Sequence, residues 1–402
     1  MIDFPASREA ALARFEAFLP DAGETYAARR NYDLPGHPHV SVLSPYIRYR
    51  TVTEEEVLRA VLKRHSASDA QKFIQEVFWR TYWKGWLEMR PSVWQSYRSG
   101  VVSAWDRVQT ESGLRSEWEA ACKGETGIVP FDHWAKQLVA ENYLHNHARM
   151  WFASIWIFTL RLPWELGADF FLRHLLDGDP ASNTLSWRWV AGLQTKGKNY
   201  IALASNIAKY TEGRFDPDGR LAPDPAALGG PPHPEKEALV LDGAWDRSKR
   251  TGLLITEEDL SPGWLLDAGL DPAAIAHLDG PSRRSLLETS RAVKTFVPAL
   301  MEDAVERLPD RSQGVSSPDH IVEWAASAKL DQIITSHMPT GPCADRLAGL
   351  ERQLADRHIV LRQPVRPYDA MTWPKATAGF FKFKESIPRF LTALRDQKLE
   401  VA

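Results

Sequence analysis

Apolar and polar positions divide the chain into two patterns. Up to about residue 215, apolar residues recur at helical spacing and predict helices over residues 7–19, 53–65, 69–89, 131–144, 146–160 and 166–176. Further along, short apolar runs at 252–256, 274–278, 332–335 and 358–361 alternate with helical patterns such as 285–308 and 344–355. Short runs that alternate with helices are typical of a parallel sheet. The pattern therefore predicts a multi-domain chain, in which an all-α domain precedes a smaller α/β domain.

Residues 214–236 separate the two patterns. This stretch contains six prolines and three glycines, which disfavour both helix and strand. A chain of 402 residues also exceeds the usual size of a single core. We therefore predict an all-helical domain at residues 1–215, a Pro/Gly-rich linker at 216–236 and an α/β domain at 237–402.

Composition indicates which partners and which cellular compartment to expect. Residues 1–215 carry 26 basic and 24 acidic side chains, whereas the remainder carries 23 and 28, so a nucleic acid would meet the first domain. Cys122 and Cys343 are far apart and lack a metal-ligand or redox spacing, which fits a reducing cytoplasm and predicts no metal site. No apolar run suggests a membrane span and no secretory signal is evident, so a soluble, cytoplasmic protein is expected.

Two segments carry the most specific signal. Residues 177–189 read DGDPASNTLSWRW and residues 145–150 read HNHARM, which together supply two carboxylates, two amides, two arginines and two tryptophans. These segments resemble the flavin-binding core of DNA photolyases and cryptochromes. The resemblance implies an all-α, photolyase-type FAD-binding domain and light-driven flavin chemistry. FAD is therefore the expected cofactor.

The resemblance also implies roles for individual residues of these segments. Arg149 is expected to meet the flavin, whose reduced anionic ring gains from a fixed positive charge. Asp177 and Asp179 are expected to accept hydrogen bonds from flavin N–H groups and ribose hydroxyls, and one of them can pair with Arg149. A turn with a capping Asp is the alternative. Asn183 is expected to face flavin N5, and Trp187 is expected to be the tryptophan nearest the flavin.

A third segment resembles the part of the family that holds the flavin diphosphate. It consists of Tyr26 and of residues 40–45, which read VSVLSP. The resemblance implies cofactor contacts for Tyr26, Ser41, Leu43 and Ser44, and the start of a helix is physically suited to an anion. Helix capping is the alternative role for the two serines. The family usually has Thr where Val40 stands, which removes one of the expected phosphate contacts.

A fourth segment, EVFWR at residues 76–80, resembles the Glu-x-x-Trp-Arg helix of the family. In relatives the glutamate hydrogen-bonds the flipped pyrimidine pair, the tryptophan stacks on it and the arginine supports the flavin. These roles would fall to Glu76, Trp79 and Arg80, and Arg80 can also pair with Glu76 one turn away. Phe73 and Glu76 are also expected to contact the cofactor. The alternative is a surface ion pair beside a core tryptophan.

The resemblance places the substrate against Asn146, Met150 and Trp189 as well. At His147 relatives usually carry a DNA-contacting arginine, so this backbone contact is expected to be weakened or pH-dependent. We expect Trp187 and Trp164 to carry electrons to the flavin. Thr110 stands where the third tryptophan of that chain is expected, and three tryptophans are alternatives: Trp105, Trp118 and Trp156.

The implied function is repair of cyclobutane pyrimidine dimers in DNA by electron transfer from excited, reduced FAD, with ultraviolet-damaged DNA as partner. The alternatives are a cryptochrome-like blue-light photoreceptor with a protein partner, a flavoprotein without a light function, and a binder of single strands through stacked aromatics. Segments 291–297, 330–335, 358–361 and 380–384 resemble elements of the family's antenna domain in a permuted order. A generic Rossmann-like domain is the alternative, and the antenna chromophore is left open.

Overall fold

The computed structural model describes residues 2–241, 243–308 and 312–396. Its first half is helical. The helices are α1 (Arg8–Phe18), α2 (Glu24–Arg29), α3 (Ser44–Arg48), α4 (Glu54–Arg64), α5 (Gln71–Glu88), α6 (Ser92–Thr110), α7 (Ser112–Lys123), α8 (Val129–Glu141), α9 (Asn146–Ser154), α10 (Trp164–His174), α11 (Pro180–Val190) and α12 (Ala204–Tyr210). A π-helical turn at Ile155–Thr159 follows α9 directly.

The second half combines five strands with further helices. The strands are β1 (Thr251–Ile255), β2 (Ala274–Leu278), β3 (Ser312–Val315), β4 (Gln332–Ile334) and β5 (Val360–Arg362). The helices are α13 (Gly263–Asp267), α14 (Arg291–Glu306), α15 (Pro318–Ser327), α16 (Pro342–Arg346), α17 (Leu350–Ala355), α18 (Pro367–Thr372), α19 (Phe380–Lys384) and α20 (Ile387–Asp396). The strands form one parallel sheet in the order β3-β2-β1-β4-β5, with Leu253 of β1 level with Ile275 and Ile334.

Helix α5 lies at the centre of the helical part. Eleven of its eighteen residues are buried, so it packs against neighbours on nearly every side rather than along one stripe. Gly85 explains one close approach: a Cβ there would lie 2.8 Å from the backbone of Trp373. The helix can therefore meet the segment after α18 without a gap.

One hydrophobic core runs through both halves of the chain. It joins the buried residues of the helical part to residues of the second half, among them Leu253, Ile255, Phe296, Tyr368 and Phe390. A second core lies on the other side of the sheet and includes Leu254, Val315 and Trp324. Neighbouring residues of β1 thus point to different cores, as the period of a strand requires. The helical part therefore packs directly on the sheet.

The sequence patterns predicted much of this architecture. The six predicted helices match α1, α4, α5, α8, α9 and α10 within a few residues, except that the one over 146–160 ends its α-helical part at Ser154. The four predicted strands match β1, β2, β4 and β5. Residues 214–236 contain no helix or strand, as expected of a linker. The domain boundaries and the likeness of the α/β part to an antenna or Rossmann-like domain stay predictions. No helix in the described ranges is long and apolar enough to span a membrane.

Candidate functional site

A cavity of about 340 Å³ opens between α2, α5, α9 and α11. It brings together residues from four separate sequence segments. Eleven of the residues predicted to bind cofactor or substrate line it: Tyr26, Glu76, Trp79, Asn146, Arg149, Met150, Asp177, Asp179, Asn183, Trp187 and Trp189. Five predicted residues lie outside its lining: Ser41, Leu43, Ser44, Phe73 and Arg80. Trp164 borders a larger and more open groove of about 720 Å³ instead.

Arg149 and Asp177 form a two-bond ion pair in the cavity wall. The two guanidinium nitrogens of Arg149 donate to the two carboxylate oxygens of Asp177 at 3.1 and 2.8 Å. A third bond, from Nε of Arg149 to the carbonyl of Leu144, fixes the plane of the guanidinium. The arginine is thus held with its charge beside the cavity, in the fork geometry that lysine cannot copy. The predicted pairing of one carboxylate with Arg149 is confirmed for Asp177.

Asp179 has different partners. One of its oxygens accepts the N–H of Ser182 at 2.8 Å and so caps α11, as the capping alternative predicted. The other lies 3.2 Å from Arg80 and 3.7 Å from Lys84. Burial by itself would raise the pKa of Asp179, but the surrounding cations outweigh it and hold that pKa far below its ordinary value. Asp179 therefore presents a permanent negative charge to the cavity.

This charge belongs to a buried ion network that reaches the sheet. Arg48 lies 3.9 Å from Asp179 and forms a two-bond pair, at 2.8 and 2.9 Å, with Glu258 just after β1. Lys84 lies between the same two carboxylates, 3.8 Å from Glu258. Burial lowers the pKa of Lys84, and the two carboxylates oppose that shift. The second half of the chain thus contributes directly to the electrostatics of the cavity.

Helix α11 offers polar groups that have no partner within the protein. In the described residues, Oγ of Ser182 and Nε1 of Trp187 are buried without a hydrogen bond, and both residues line the cavity. The side-chain N–H of Asn183 donates to the carbonyl of Ala168 at 2.7 Å, which leaves its oxygen free. Buried polar groups usually find a partner. The cavity is therefore suited to a ligand that has both ring faces and polar edges.

The helix that carries Glu76 differs from the prediction in its pairing. Glu76 forms an ion pair with Arg30, not with Arg80. Arg80 turns inward, to Glu54 and Asp179, at 3.2 Å from each. The expected Glu76–Arg80 pair is therefore wrong, because two buried carboxylates compete for the arginine. Arg80 supports the cavity through Asp179 without lining it.

Trp79 is partly covered by the second half of the chain. The ring of Phe380, at the start of α19, stacks on it with 3.6 Å between centroids and 11° between planes. Trp83 packs beside it, with its centroid 5.2 Å away. Only the rest of the Trp79 ring is left to meet a ligand in the cavity. Segment 380–384 thus forms a helix against α5, and no resemblance to an antenna domain had indicated this contact.

The loop predicted to hold a diphosphate approaches the cavity through Val40 alone. Ser44 begins the five-residue helix α3 without a side-chain cap, and Ser41 Oγ accepts the N–H of Leu43 at 3.4 Å. Phe73 packs edge-on against Tyr26, at 5.2 Å between centroids, and so supports a residue of the cavity lining. Their roles as cofactor contacts stay predictions.

His147 is not a solvent-facing substitute for an arginine. It is buried, its Nδ1 lies 2.9 Å from the carbonyl of Asn31, and its ring stacks on Trp151 at 4.2 Å. Burial lowers its pKa, so it is neutral near pH 7. Of the two expectations for this backbone contact, weakened or pH-dependent, the weakened one fits better, because the ring is occupied within the protein. Asn146 beside it is exposed at the start of α9.

The tryptophans expected to carry electrons lie along α10 and α11. Trp187 is buried in the cavity wall, and its ring contacts α10 at Gly167, where a Cβ would come within 2.4 Å of it. Trp164 lies one turn before Gly167 on the same helix. The ring of Trp156 lies beside that of Trp187, with 6.3 Å between the two centroids. Trp105 and Trp118 pair with each other at 5.2 Å.

Several residues of the site were missed by sequence reasoning. They are Arg30, Arg48, Lys84, Trp83 and Phe380, each of which contacts a predicted site residue. Lys84 and Trp83 lie one turn beyond Arg80 and Trp79 on α5, so helical spacing could have found them. Nothing in the spacing of Phe380 or Glu258 links them to α5. Among the described residues, no group of three or more His, Cys, Asp or Glu side chains is arranged to hold a metal ion.

Comparison with known proteins agrees with this geometry. The helical half and its cavity define a cofactor-binding domain, and residues 73–222 match the FAD binding domain of DNA photolyase. Through this segment the chain is similar to the DNA photolyases. FAD is accordingly the cofactor of the domain. The residues named above fit it, since a fixed arginine, an amide and unpaired polar atoms of α11 converge on the cavity.

The chain is similar to proteins named deoxyribodipyrimidine photo-lyase. It is 34% identical over 211 residues to the one of Streptomyces griseus, a match that covers 49% of this chain and 44% of that protein. It is 28% identical over 223 residues to the one of Neurospora crassa, covering 54% of this chain and 35% of the relative. A solved bacterial class III photolyase from Agrobacterium tumefaciens is 25% identical, with 52% and 44% of the chains covered and a TM-score of 0.43. The match therefore spans less than half the length of these relatives.

Proposed function

We propose that this chain is a light-dependent photolyase that repairs cyclobutane pyrimidine dimers in DNA. One observation carries the proposal. The five residues expected at the lesion and seven of the twelve expected at the cofactor line the same cavity, although they come from separate segments of the chain. Reduced FAD, when bound and excited by light, supplies the electron that opens the dimer. The protein would position the dimer, hold charged groups in fixed places around it and exclude water from the cavity.

The lesion side of the cavity would be formed by Glu76, Trp79, Asn146, Met150 and Trp189. Glu76 and Asn146 offer a carboxylate and an amide at the rim, where a pyrimidine presents N–H and C=O groups. Trp189 and Met150 offer apolar contact, and Trp189 is itself stacked near Tyr200 at 5.6 Å. A preformed carboxylate next to stacking rings suits two adjacent pyrimidines taken out of a duplex.

The cofactor side would be formed by the α9 and α11 residues. Arg149 would place a positive charge near the anionic ring, with Asp177 fixing its orientation. Asn183 would present its free oxygen, because its N–H is engaged by Ala168. Asp179 would act as an acceptor that stays ionised at every working pH. DNA phosphates would be held by basic side chains around the rim without reading of sequence.

The experiment is repair of a defined thymine dimer under blue light by the purified protein, with FAD content measured in the same sample. The test variant is Glu76→Gln, which keeps a hydrogen-bond acceptor for Arg30 but removes the charge. We expect it to lower the repair rate and to leave the FAD content unchanged. The matched control is Glu212→Gln, which removes an exposed carboxylate paired with Arg29. A parent protein that neither repairs the dimer nor prefers damaged DNA would overturn the proposal.

A blue-light photoreceptor of the cryptochrome type is the second candidate. The observation that favours it is the stack of Phe380 on Trp79, which covers one face of the ring expected to meet the lesion. A receptor needs no lesion site and can tolerate that cover. Photoreduction of FAD without dimer repair, in the experiment above, would select this function.

A further inference from the structure

Thr110 leaves the expected row of tryptophans without its third member. The side chain is exposed at the end of α6, and it has no aromatic ring that could carry an electron. Trp105 and Trp118 contact each other, but in the described ranges neither makes a ring contact with Trp164. The continuation of the electron path beyond Trp164 has therefore to be found among the rings that touch it.

Two aromatic residues of α6 continue the row from Trp164. The ring of Tyr97 lies 5.8 Å from that of Trp164 on α10, measured between centroids. The ring of Trp94, one turn before Tyr97, lies 5.3 Å from the tyrosine ring. All three rings are buried, and none of them lines the cavity. They form a close-packed row that begins beside α11 and continues beyond the cavity wall.

The indole of Trp94 has a proton acceptor at the surface. Its Nε1–H donates to the carboxylate of Asp345 on α16 at 3.0 Å, and this carboxylate is 48% exposed. The guanidinium of Arg98 lies over the same ring, 5.7 Å from its centroid, and disfavours a positive charge on it. An oxidised Trp94 would therefore pass its proton to Asp345, which keeps the radical from taking its electron back from Trp164.

Tyr97 is suited to pass an electron on, not to hold the charge. Its hydroxyl is buried and has no hydrogen-bond partner in the part of the chain that the structure describes. Burial raises the pKa of Tyr97 well above its ordinary value. A tyrosine that loses an electron has to release its phenolic proton, and no base is in place to take it. The ring is therefore a bridge between Trp164 and Trp94.

We propose that Trp94, reached through Tyr97, is the outer end of the electron path to FAD and takes the place of the missing third tryptophan. The inference rests on the light-driven flavin chemistry of the proposed function. FAD, when bound and excited by light, supplies an acceptor for one electron. Trp187 gives up that electron, and one electron then moves from Trp164 to Trp187.

The next electron moves from Trp94 to Trp164, and the indole proton of Trp94 passes to Asp345. An external thiolate then gives one electron to the neutral Trp94 radical and becomes a thiyl radical. The proton returns from Asp345 to the indole, so that the protein ends as it began. The α/β half of the chain thus contributes the base of this path, because Asp345 belongs to α16.

The measurement is the absorption of tryptophan radicals after a laser flash, at equal FAD content, because the neutral and the cation radical have different visible spectra. We expect a long-lived neutral radical in the parent. Trp94→Phe and Tyr97→Leu should each lower its yield at least about tenfold. Tyr97→Phe, which keeps the ring, should restore most of the yield lost in Tyr97→Leu. Trp324→Phe, a buried indole in the separate core beyond the sheet, is the control.

Asp345→Asn tests the proton transfer separately. Asparagine keeps an acceptor for the indole N–H but is not a base, so the radical should stay a cation and decay faster. Glu119→Gln, which removes an exposed carboxylate paired with Lys123, is the matched control and should leave the decay as in the parent.

Three results would overturn the inference. They are an unchanged neutral radical in Trp94→Phe, a parent that forms no tryptophan radical, and faster decay in Glu165→Gln but not in Asp345→Asn. In the last case the carboxylate next to Trp164 in the chain would hold the proton, and the path would end at that ring. A long-lived Trp94 radical in a protein that repairs no dimer would reject the proposed repair alone.

Discussion

Arg48 and Glu258 are separated by 210 positions in the chain, yet their side chains form two hydrogen bonds of 2.8 and 2.9 Å in a fully buried setting. Arg48 ends α3 in the helical half and Glu258 follows β1. Because Arg48 also lies 3.9 Å from Asp179, the pair joins the sheet to the wall of the cavity. The two halves of the chain are therefore coupled by charge as well as by their common core.

Glu258→Gln is expected to destabilise the whole protein. The substitution keeps the shape but leaves Arg48 and Lys84 with one carboxylate fewer in a buried site, which typically costs about 3 to 5 kcal/mol. Urea unfolding should show this as a lower midpoint with an unchanged slope. Glu111→Gln, which breaks an exposed ion pair with Arg107, is the control and should leave the midpoint in place. Identical midpoints for Glu258→Gln and the parent would contradict this account of the network.

Asp177→Asn is expected to weaken FAD binding. The asparagine can accept only one of the two hydrogen bonds from Arg149 and carries no charge, so the guanidinium loses its fixed orientation. A hydrogen bond to a charged group contributes roughly 1.5 to 3 kcal/mol, which predicts at least about tenfold weaker binding. The measurement is FAD retained per chain after dialysis against increasing volumes. The control, Glu212→Gln, removes an arginine partner outside the cavity, and equal retention in both variants would be inconsistent with the role of the pair.

The buried side chain of His145 is expected to make the stability of the protein depend on pH. Burial, with help from nearby His37, lowers its pKa to about 3, and its Nδ1 accepts the N–H of His147 at the start of α9. The unfolded chain binds a proton at an ordinary histidine pKa of about 6.5. Between these two values the unfolded state holds more protons, so the free energy of unfolding falls as the pH falls.

His145→Asn should reduce this pH dependence. Asparagine keeps an acceptor at the helix start but cannot take up the proton. Thermal unfolding followed from pH 7 to about pH 5 should show a smaller loss of Tm in the variant than in the parent. The control is His358→Asn, an exposed site with φ of 59° that asparagine tolerates. An unchanged slope in His145→Asn would mean that other groups carry the acid sensitivity.

Local sequence patterns predicted those features of the fold and the site that depend on residues close together in the chain. Helix α5 and strand β1 follow from their apolar spacing, and Arg149 and Asn183 were found through short motifs that happen to lie in the cavity wall. Pairings between distant segments were beyond such reasoning. The spacing of Glu76 and Arg80 suggested a pair, yet the fold brings Arg30 to the first and Glu54 to the second.

The packing between the two halves could not be predicted from the sequence either. The aromatic run at 380–383 has the composition of a buried element, and its position against Trp79 depends on how residues 237–396 fold back over α5. At His147 a weakened or pH-dependent backbone contact was expected, because relatives usually carry a DNA-contacting arginine there. The burial of His147 depends on Asn31 and Trp151, which no local pattern connects to it.

The last prediction concerns the path of electrons to FAD. Trp187 is in the cavity wall, and two tryptophans are placed to follow it: Trp156, at 6.3 Å, and Trp164, one turn along α10 from the point that Trp187 touches. Trp156 is fully buried and its N–H donates to the carbonyl of Pro163, whereas Trp164 borders the open groove. Trp164 is therefore the more accessible of the two to a reductant in solution.

We therefore expect Trp187→Phe and Trp164→Phe to slow the photoreduction of FAD by at least about tenfold, and Trp156→Phe to change it little. The measurement is the rate of flavin bleaching under blue light with an external thiol, at equal FAD content. Trp324→Phe, in the separate core beyond the sheet, is the matched control for loss of a buried indole. The opposite result would be a slower rate in Trp156→Phe and a normal rate in Trp164→Phe. It would show that the path runs through the π-helical turn after α9, because Trp156 would then be the ring that exchanges an electron with Trp187.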